Sequence, residues 1–358
     1  MNGNGSITGN NTFGTLIFST GFQYTLTNGK TQTITNNLTA EGAETQLIVI
    51  KSSASGSQTT ISKASGTVTV NYVSLQDNNA TGGATFVANN SIDLGNNTGW
   101  TINATGSKDY YWVGGTGNYD DASKWSLTSG GAGGAGVPTA IDNVYFDANS
   151  FTATGQTVTI IGDVSNNARC YNMTWTGVTN NPTLAGASTQ NLRIHGSLTL
   201  SSDMIFTFAG LVYFEAIESG HTIFTAGIQL DKNNVYFNGV GGEYTLQDAL
   251  NLGSKTLYLV NGTLNTNNQT ITADQLYTYY TSARTLNLGS SELVLGSASN
   301  AFYYRGENFT VNPGTSLFRL TAANAEFVHY IGNGPGITFY DVIFEAASSM
   351  EIFFVTGS

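Results

Sequence analysis

The chain has 358 residues, 40% of them hydrophobic and only 10% charged, with 43 glycines and a formal net charge of -11. Charged residues make up about 25% of an ordinary globular domain; Asn, Thr, Ser and Gly replace them here, while recurring Val, Ile, Leu, Phe and Tyr supply a core and exclude disorder. The acidic balance argues against nucleic acid as a partner, because phosphate binding rests on Lys and Arg, and no apolar run approaches the roughly 20 residues of a membrane helix.

Met1 opens onto "NGNGSITGNNTFG", with neither a basic n-region nor an apolar h-region, so no signal peptide is read. The reading favours an internal piece of a longer protein. Period-two alternation then dominates, in "GTVTVNYVSL" (66–75), "SLTLSSDMIFTF" (197–208) and "KTLYLVNGTLNTNNQTITADQLYTYY" (255–280). Apolar and β-branched residues at every second place fit strands with one buried face. Asn-Gly, Asn-Asn and Gly-Gly pairs bound them, supplying the positive φ of sharp corners. No helical stripe of convincing length occurs. The short strands recur in groups of roughly 20 to 25 residues, a solenoid period. These features predict an all-β, right-handed parallel β-helix, elongated, with about 14 coils spaced about 4.8 Å apart. A large antiparallel sandwich or propeller is the competing architecture. Three regions follow: a β-helix segment over 1–103, a Trp- and Gly-rich joint or insertion over 104–150, and a second β-helix segment over 151–358.

The middle block carries a resemblance. "WVGGTGNYDDASKWS" (112–126) and "GVPTAIDNVYFD" (136–147) contain Trp112, Trp125, Pro138, Asp142 and Val144. They resemble the module-start pattern of bacterial β-helical surface adhesins and autotransporter-like passengers. The preceding stretch, 66–102, is similar to a module end in such proteins, and the remainder is similar only in texture. The resemblance implies extracellular or cell-surface display, adhesion or filament building, with no shared catalytic residues. Neither a translocator nor a sorting signal is read in the chain, which leaves the anchoring route open.

Motifs with chemical potential are sparse. "GAGGAG" (131–136) spells a dinucleotide fingerprint, but no strand-to-helix context surrounds it, and it reads as a flexible loop. "GGTGNYDD" (114–121) is similar to a calcium nonapeptide with its Asp one place late. Asp120, Asp121, Asp142 and Asp147 are weak calcium candidates, since Ca²⁺ accepts six to eight flexible oxygen ligands; the bland alternative is that they cap turns. Otherwise no metal or cofactor is expected. His195, His221 and His329 lack metal-ligand spacing, and the single cysteine, Cys170, has no disulfide partner in the chain. The carboxylate pairs Glu41/Glu44 and Glu215/Glu218 lack the constellation a polysaccharide-cleaving enzyme needs. Aromatic clusters are more suggestive: "VYF" at 212–214 and 235–237, "LYTYY" at 276–280 and "AFYYRG" at 301–306. Tyr279 and Tyr303 are the candidates for glycan contact, because an outward amphipathic ring serves sugar or protein equally; the alternative is that outward Tyr ladders only stabilise neighbouring coils.

A β-helix exposes apolar core and open strand edges at each end unless capped. Neither end of this sequence reads as a cap, and "TFYDVIFEA" near the finish corresponds to "TFGTLIFST" near the start. Phe13, Leu16 and Phe18 at one end, with Ile352, Phe353 and Val355 at the other, are therefore the candidate self-association residues. The expectation is a non-enzymatic extracellular structural module that stacks head to tail on itself or on adjacent modules of a longer chain. A carbohydrate-binding adhesin is the alternative, and a polysaccharide-degrading enzyme the more distant one.

Overall fold

The computed structural model describes residues 3–44, 46–162, 167–331, 337–346 and 351–356. They form a parallel β-solenoid of about 14 turns. Apart from one short antiparallel pair, the described strands pair in parallel with strands of neighbouring coils, which excludes the antiparallel sandwich and propeller. Residues 1–108 with 162–167 form one compact unit, and residues 109–161 with 168–358 a second.

In the first unit, one sheet includes Gly5–Ile7, Gln23–Leu26, Ile48–Ser52, Val73–Gln76 and Thr85–Asp93, and another holds Asn11–Phe18, Thr31–Ala40, Thr59–Ser62 and Asn78–Thr81. Because side chains alternate across a strand, parallel register sets like positions in columns. Tyr24, Ile50 and Leu75 make one such column and are wholly buried. Asn78 turns a buried corner, its Nδ2 donating to the carbonyls of Ile50 at 2.9 Å and Gln76 at 2.8 Å.

The second unit is built on a 17-stranded winding sheet with a four-stranded and a five-stranded sheet beside it. Leu192, Val212, Val235, Leu257, Leu276, Phe302 and Phe327 follow one another in register and are all buried. Leu250, Ile271, Leu293 and Phe318 form a second inward column on the five-stranded sheet. Burying each such side chain contributes about 1.5–3 kcal/mol, so these columns are the main source of cohesion between coils.

Of the Trp- and Gly-rich block, residues 104–108 belong to the first unit and residues 109–150 to the second, where they supply strands of its sheets. Strand Asp109–Trp112 runs antiparallel to Trp125–Ser126 and parallel to Asn143–Tyr145. Trp112, Tyr119, Trp125, Phe146 and Trp175 are all buried in the core there. Two of the three indole N–H groups are satisfied locally, Trp112 donating to Gly115 O at 2.7 Å and Trp125 to Tyr119 O at 2.8 Å, while that of Trp175 is buried without an acceptor. The "GAGGAG" segment is a hydrogen-bonded cover over this cluster, which corrects its reading as a flexible loop. Gly134 N–H donates to Ala122 O, and Ala135 N–H to Trp125 O. A Cβ on Gly133 would lie 1.9 Å from Ser123 O, so close backbone approach explains that glycine.

Candidate ligand-contact surface

The outward face of the 17-stranded sheet carries a column of tyrosines. Each occupies the centre of an apolar-Tyr-apolar or apolar-Tyr-polar triplet, so its neighbours point into the core while the ring points out. Register places Tyr213 beside Tyr236, then Tyr258, Tyr277 and Tyr303 on successive coils. The backbone column continues through Val328 to Phe353. Tyr213 and Tyr236 stack at 4.7 Å and 21°, and Tyr236 and Tyr258 at 4.3 Å and 2°. Rings this parallel cover one another's faces and present edges and hydroxyls to solvent.

Beyond Tyr258 the stack opens. Tyr277 tilts by 50° from Tyr258, and Tyr280 stands at 72° to Tyr277. Tyr303 lies 5.1 Å from both Tyr277 and Tyr279, tilted by 34° and 40°. The structure thus brings together Tyr279 and Tyr303, the two residues singled out for glycan contact. The rings of this half are tilted from one another where those of the other half are nearly coplanar, and all of them are half-buried.

Arginines bracket the strip. The Arg193 guanidinium sits 4.1 Å over the Tyr213 ring, and that of Arg305 5.9 Å over Tyr279. Arg193 pairs with Glu215 at 2.6 Å and Arg305 with Glu307 at 2.6 Å. Arg284 is buried, donating Nε–H to Thr278 Oγ1 at 2.8 Å and an NH2 proton to Arg305 O at 2.7 Å, with a further bond to Ser282 O. Burial lowers its pKa to about 10, Arg305 adding to the effect, so it remains charged at neutral pH. Burial, followed by the neighbouring phenols, raises the pKa values of Tyr236, Tyr277 and Tyr280. These hydroxyls therefore stay protonated and both donate and accept hydrogen bonds.

At the adjoining corner His195 and Glu215 are both buried, with Nε2 3.8 Å from Oε2. Burial lowers the His195 pKa to about 4, with Arg169 and Arg193 acting in the same sense and Glu215 opposing. His221 stands edge-on to Tyr171, whose hydroxyl donates to Glu218 at 2.6 Å. Glu215 and Glu218 thus serve as hydrogen-bond and ion-pair acceptors between coils.

The four aspartates singled out for calcium fall in three turns, Asp120 and Asp121 together in one and Asp142 and Asp147 in one each. Asp121 accepts from Ser123 N at 2.9 Å and Oγ at 2.7 Å. Asp142 accepts from Thr139 N at 2.8 Å and Oγ1 at 2.6 Å, and Asp147 from Asn149 N at 2.9 Å. Asp120 is exposed beside Asp121. Among the described residues no group of three or more His, Cys, Asp or Glu side chains is placed to hold a metal ion.

At the chain's beginning Leu16 and Phe18 are buried in the first unit's core, with Phe13 half-buried against it. Ile352, Phe353 and Val355 lie in strand Glu351–Thr356; their side chains fall outside the described residues. Sequence reasoning missed the arginines at the ends of the strip and the amide ladders between coils, such as Asn172 to Asn143 to Asp109, at 2.8 Å each. A signal for the strip was present in the repeated triplets "VYF", "VYF", "LYL", "LYT" and "FYY". No family model, curated protein or solved structure matches the chain.

Proposed function

We propose that this chain is a non-enzymatic structural module of a bacterial surface filament or giant adhesin, displayed outside the cell, whose coils are extended end to end by further coils of the same kind. One observation carries the reading. Strands Asp341–Phe344 and Glu351–Thr356 close the five-stranded and 17-stranded sheets, each paired on one edge among the described residues. At the other end, Asn11–Phe18 is likewise the first strand of its sheet, followed by Gln23–Leu26 in a second sheet. Both ends therefore run strand, corner, strand across two sheets, with corresponding sequence at "TFYDVIFEA" and "TFGTLIFST". A coil of the starting type fits where the final coil leaves an edge, and such a head-to-tail contact propagates instead of closing. Electron microscopy and sedimentation test this: the wild-type chain forms threads, and Phe353→Asp abolishes them while circular dichroism is retained. Threads unchanged in that variant overturn the proposal.

The opened half of the tyrosine strip favours a second reading, a carbohydrate-contact surface at Tyr279 and Tyr303. Binding on a glycan array that is lost in both Tyr279→Ala and Tyr303→Ala supports it; no binding, or binding indifferent to both changes, removes it.

A further inference from the structure

We infer that the tilted half of the tyrosine strip is a site of oxidative cross-linking, where Tyr303 couples through a ring carbon to Tyr277 or Tyr279 and joins two coils covalently. The oxidant is a peroxide acting through a one-electron catalyst, both from outside the chain. Neither functional reading above is needed for it.

Proximity and ring angle carry the inference. Every tyrosine of the strip has another tyrosine ring centred between 4.3 and 5.6 Å away. Register fixes the central pair, since Tyr277 and Tyr303 stand opposite each other on paired strands. Phenoxyl rings join through carbons ortho to the oxygen, and the product holds its rings edge to edge. Tyr213, Tyr236 and Tyr258 lie face over face, 21° and 2° from parallel, so joining them requires a ring to swing out of the stack. Tyr303 lies 5.1 Å from Tyr277 and from Tyr279, tilted by 34° and 40°, so these rings already converge along one edge. Their outward, half-buried positions leave room to turn. The chain's single cysteine, Cys170, is buried and free, so no disulfide within the chain can join coils. A bond from Tyr303 to the preceding coil closes the loop between them and restricts the unfolded chain as a disulfide would.

The chemistry balances. Each phenol loses one electron and its hydroxyl proton. The two phenoxyl radicals pair their electrons in a new C–C bond, and the ortho hydrogen of each ring moves to its own oxygen, restoring the phenol. The electrons and protons released reduce hydrogen peroxide to water, so two tyrosines and one peroxide give one dityrosine and two waters.

The test treats the full chain with a peroxidase and hydrogen peroxide, and separately with a photosensitiser and persulfate, a smaller one-electron oxidant. Dityrosine fluorescence and mass spectrometry of linked peptides read the product. Mixing isotope-labelled with unlabelled chain separates links within a chain from links between chains. Links within one chain from Tyr277 or Tyr279 to Tyr303, with a raised melting temperature, support the inference. Tyr303→Phe is expected to lower the within-chain yield by about tenfold or more, because the ring shared by both close pairs can no longer couple, and Tyr279→Phe to leave only the link to Tyr277. Tyr111 and Tyr145, stacked at 4.9 Å and 18°, are the coplanar control, and Tyr111→Phe should leave the yield unchanged. Links that omit Tyr303, links only between chains, equal coupling at Tyr111 and Tyr145, or no dityrosine with either oxidant overturn the inference.

Discussion

Trp112 and Trp125 meet edge to face, 5.1 Å apart at 85°, across the antiparallel strand pair at the start of the second unit. The pair sits within a larger aromatic stack in which Phe146 lies 3.9 Å from Trp175. In a parallel solenoid an antiparallel pair interrupts the growth direction, and these rings fill the core space at that point.

Truncating the centre of this cluster is the most damaging single change foreseen. Trp125→Ala removes a wholly buried ring in contact with Tyr110, Trp112, Tyr119 and Phe146, and orphans the Tyr119 carbonyl. A loss of about 3–5 kcal/mol follows, measurable by urea denaturation. A loss below 1 kcal/mol would show that the cluster is not a structural centre.

The amide ladders hold coils in register. Asn172 donates to Asn143 at 2.8 Å and accepts the Ser197 N–H at 2.6 Å. Asn172→Ala strips both bonds, and a cost of about 1–3 kcal/mol is expected from the groups left without partners. Asn172→Asp retains the acceptor for Ser197, so it should cost less in the same assay.

Acid should destabilise the second unit before its carboxylates titrate. His195 has a folded pKa of about 4 against an ordinary 6.5, chiefly through burial. Between those values the unfolded chain binds a proton that the folded chain refuses, so stability falls as pH drops through this window. It is fully present above about 6.5, and the loss is complete below about 4, amounting to an order of 3 kcal/mol. His221, also lowered by burial, adds to the slope. Melting temperature against pH in His195→Gln should therefore be flatter than wild type but not flat; an identical profile would contradict this.

Some glycines are fixed by packing between coils. A Cβ on Gly239 would lie 1.7 Å from Ala216 O, whereas nothing lies within 4 Å of one on Gly106. Gly239→Ala forces the backbones apart at a cost of about 1–3 kcal/mol, and Gly106→Ala should leave the melting temperature unchanged. Equal effects would remove the packing explanation.

The sequence by itself determined the kind of fold. Alternation is local, and each "VYF" or "TVTV" declares which residues face inward without reference to any other coil. Asn and Gly pairs declared the corners for the same reason. Only the tertiary structure decided which coils stand beside which, because unequal corner lengths hide register in a linear reading. It therefore decided that Tyr213 through Tyr303 form one strip with Arg193 at its end, and that the Asp residues of 120–147 serve three turns and not one ion. The block at 109–150 was legible as unusual but not as core, since its burial arises from rings contributed by residues as distant as Trp175. Side-chain facing is set by adjacent φ and ψ angles, whereas a surface assembled one residue per coil exists only after the coils have stacked.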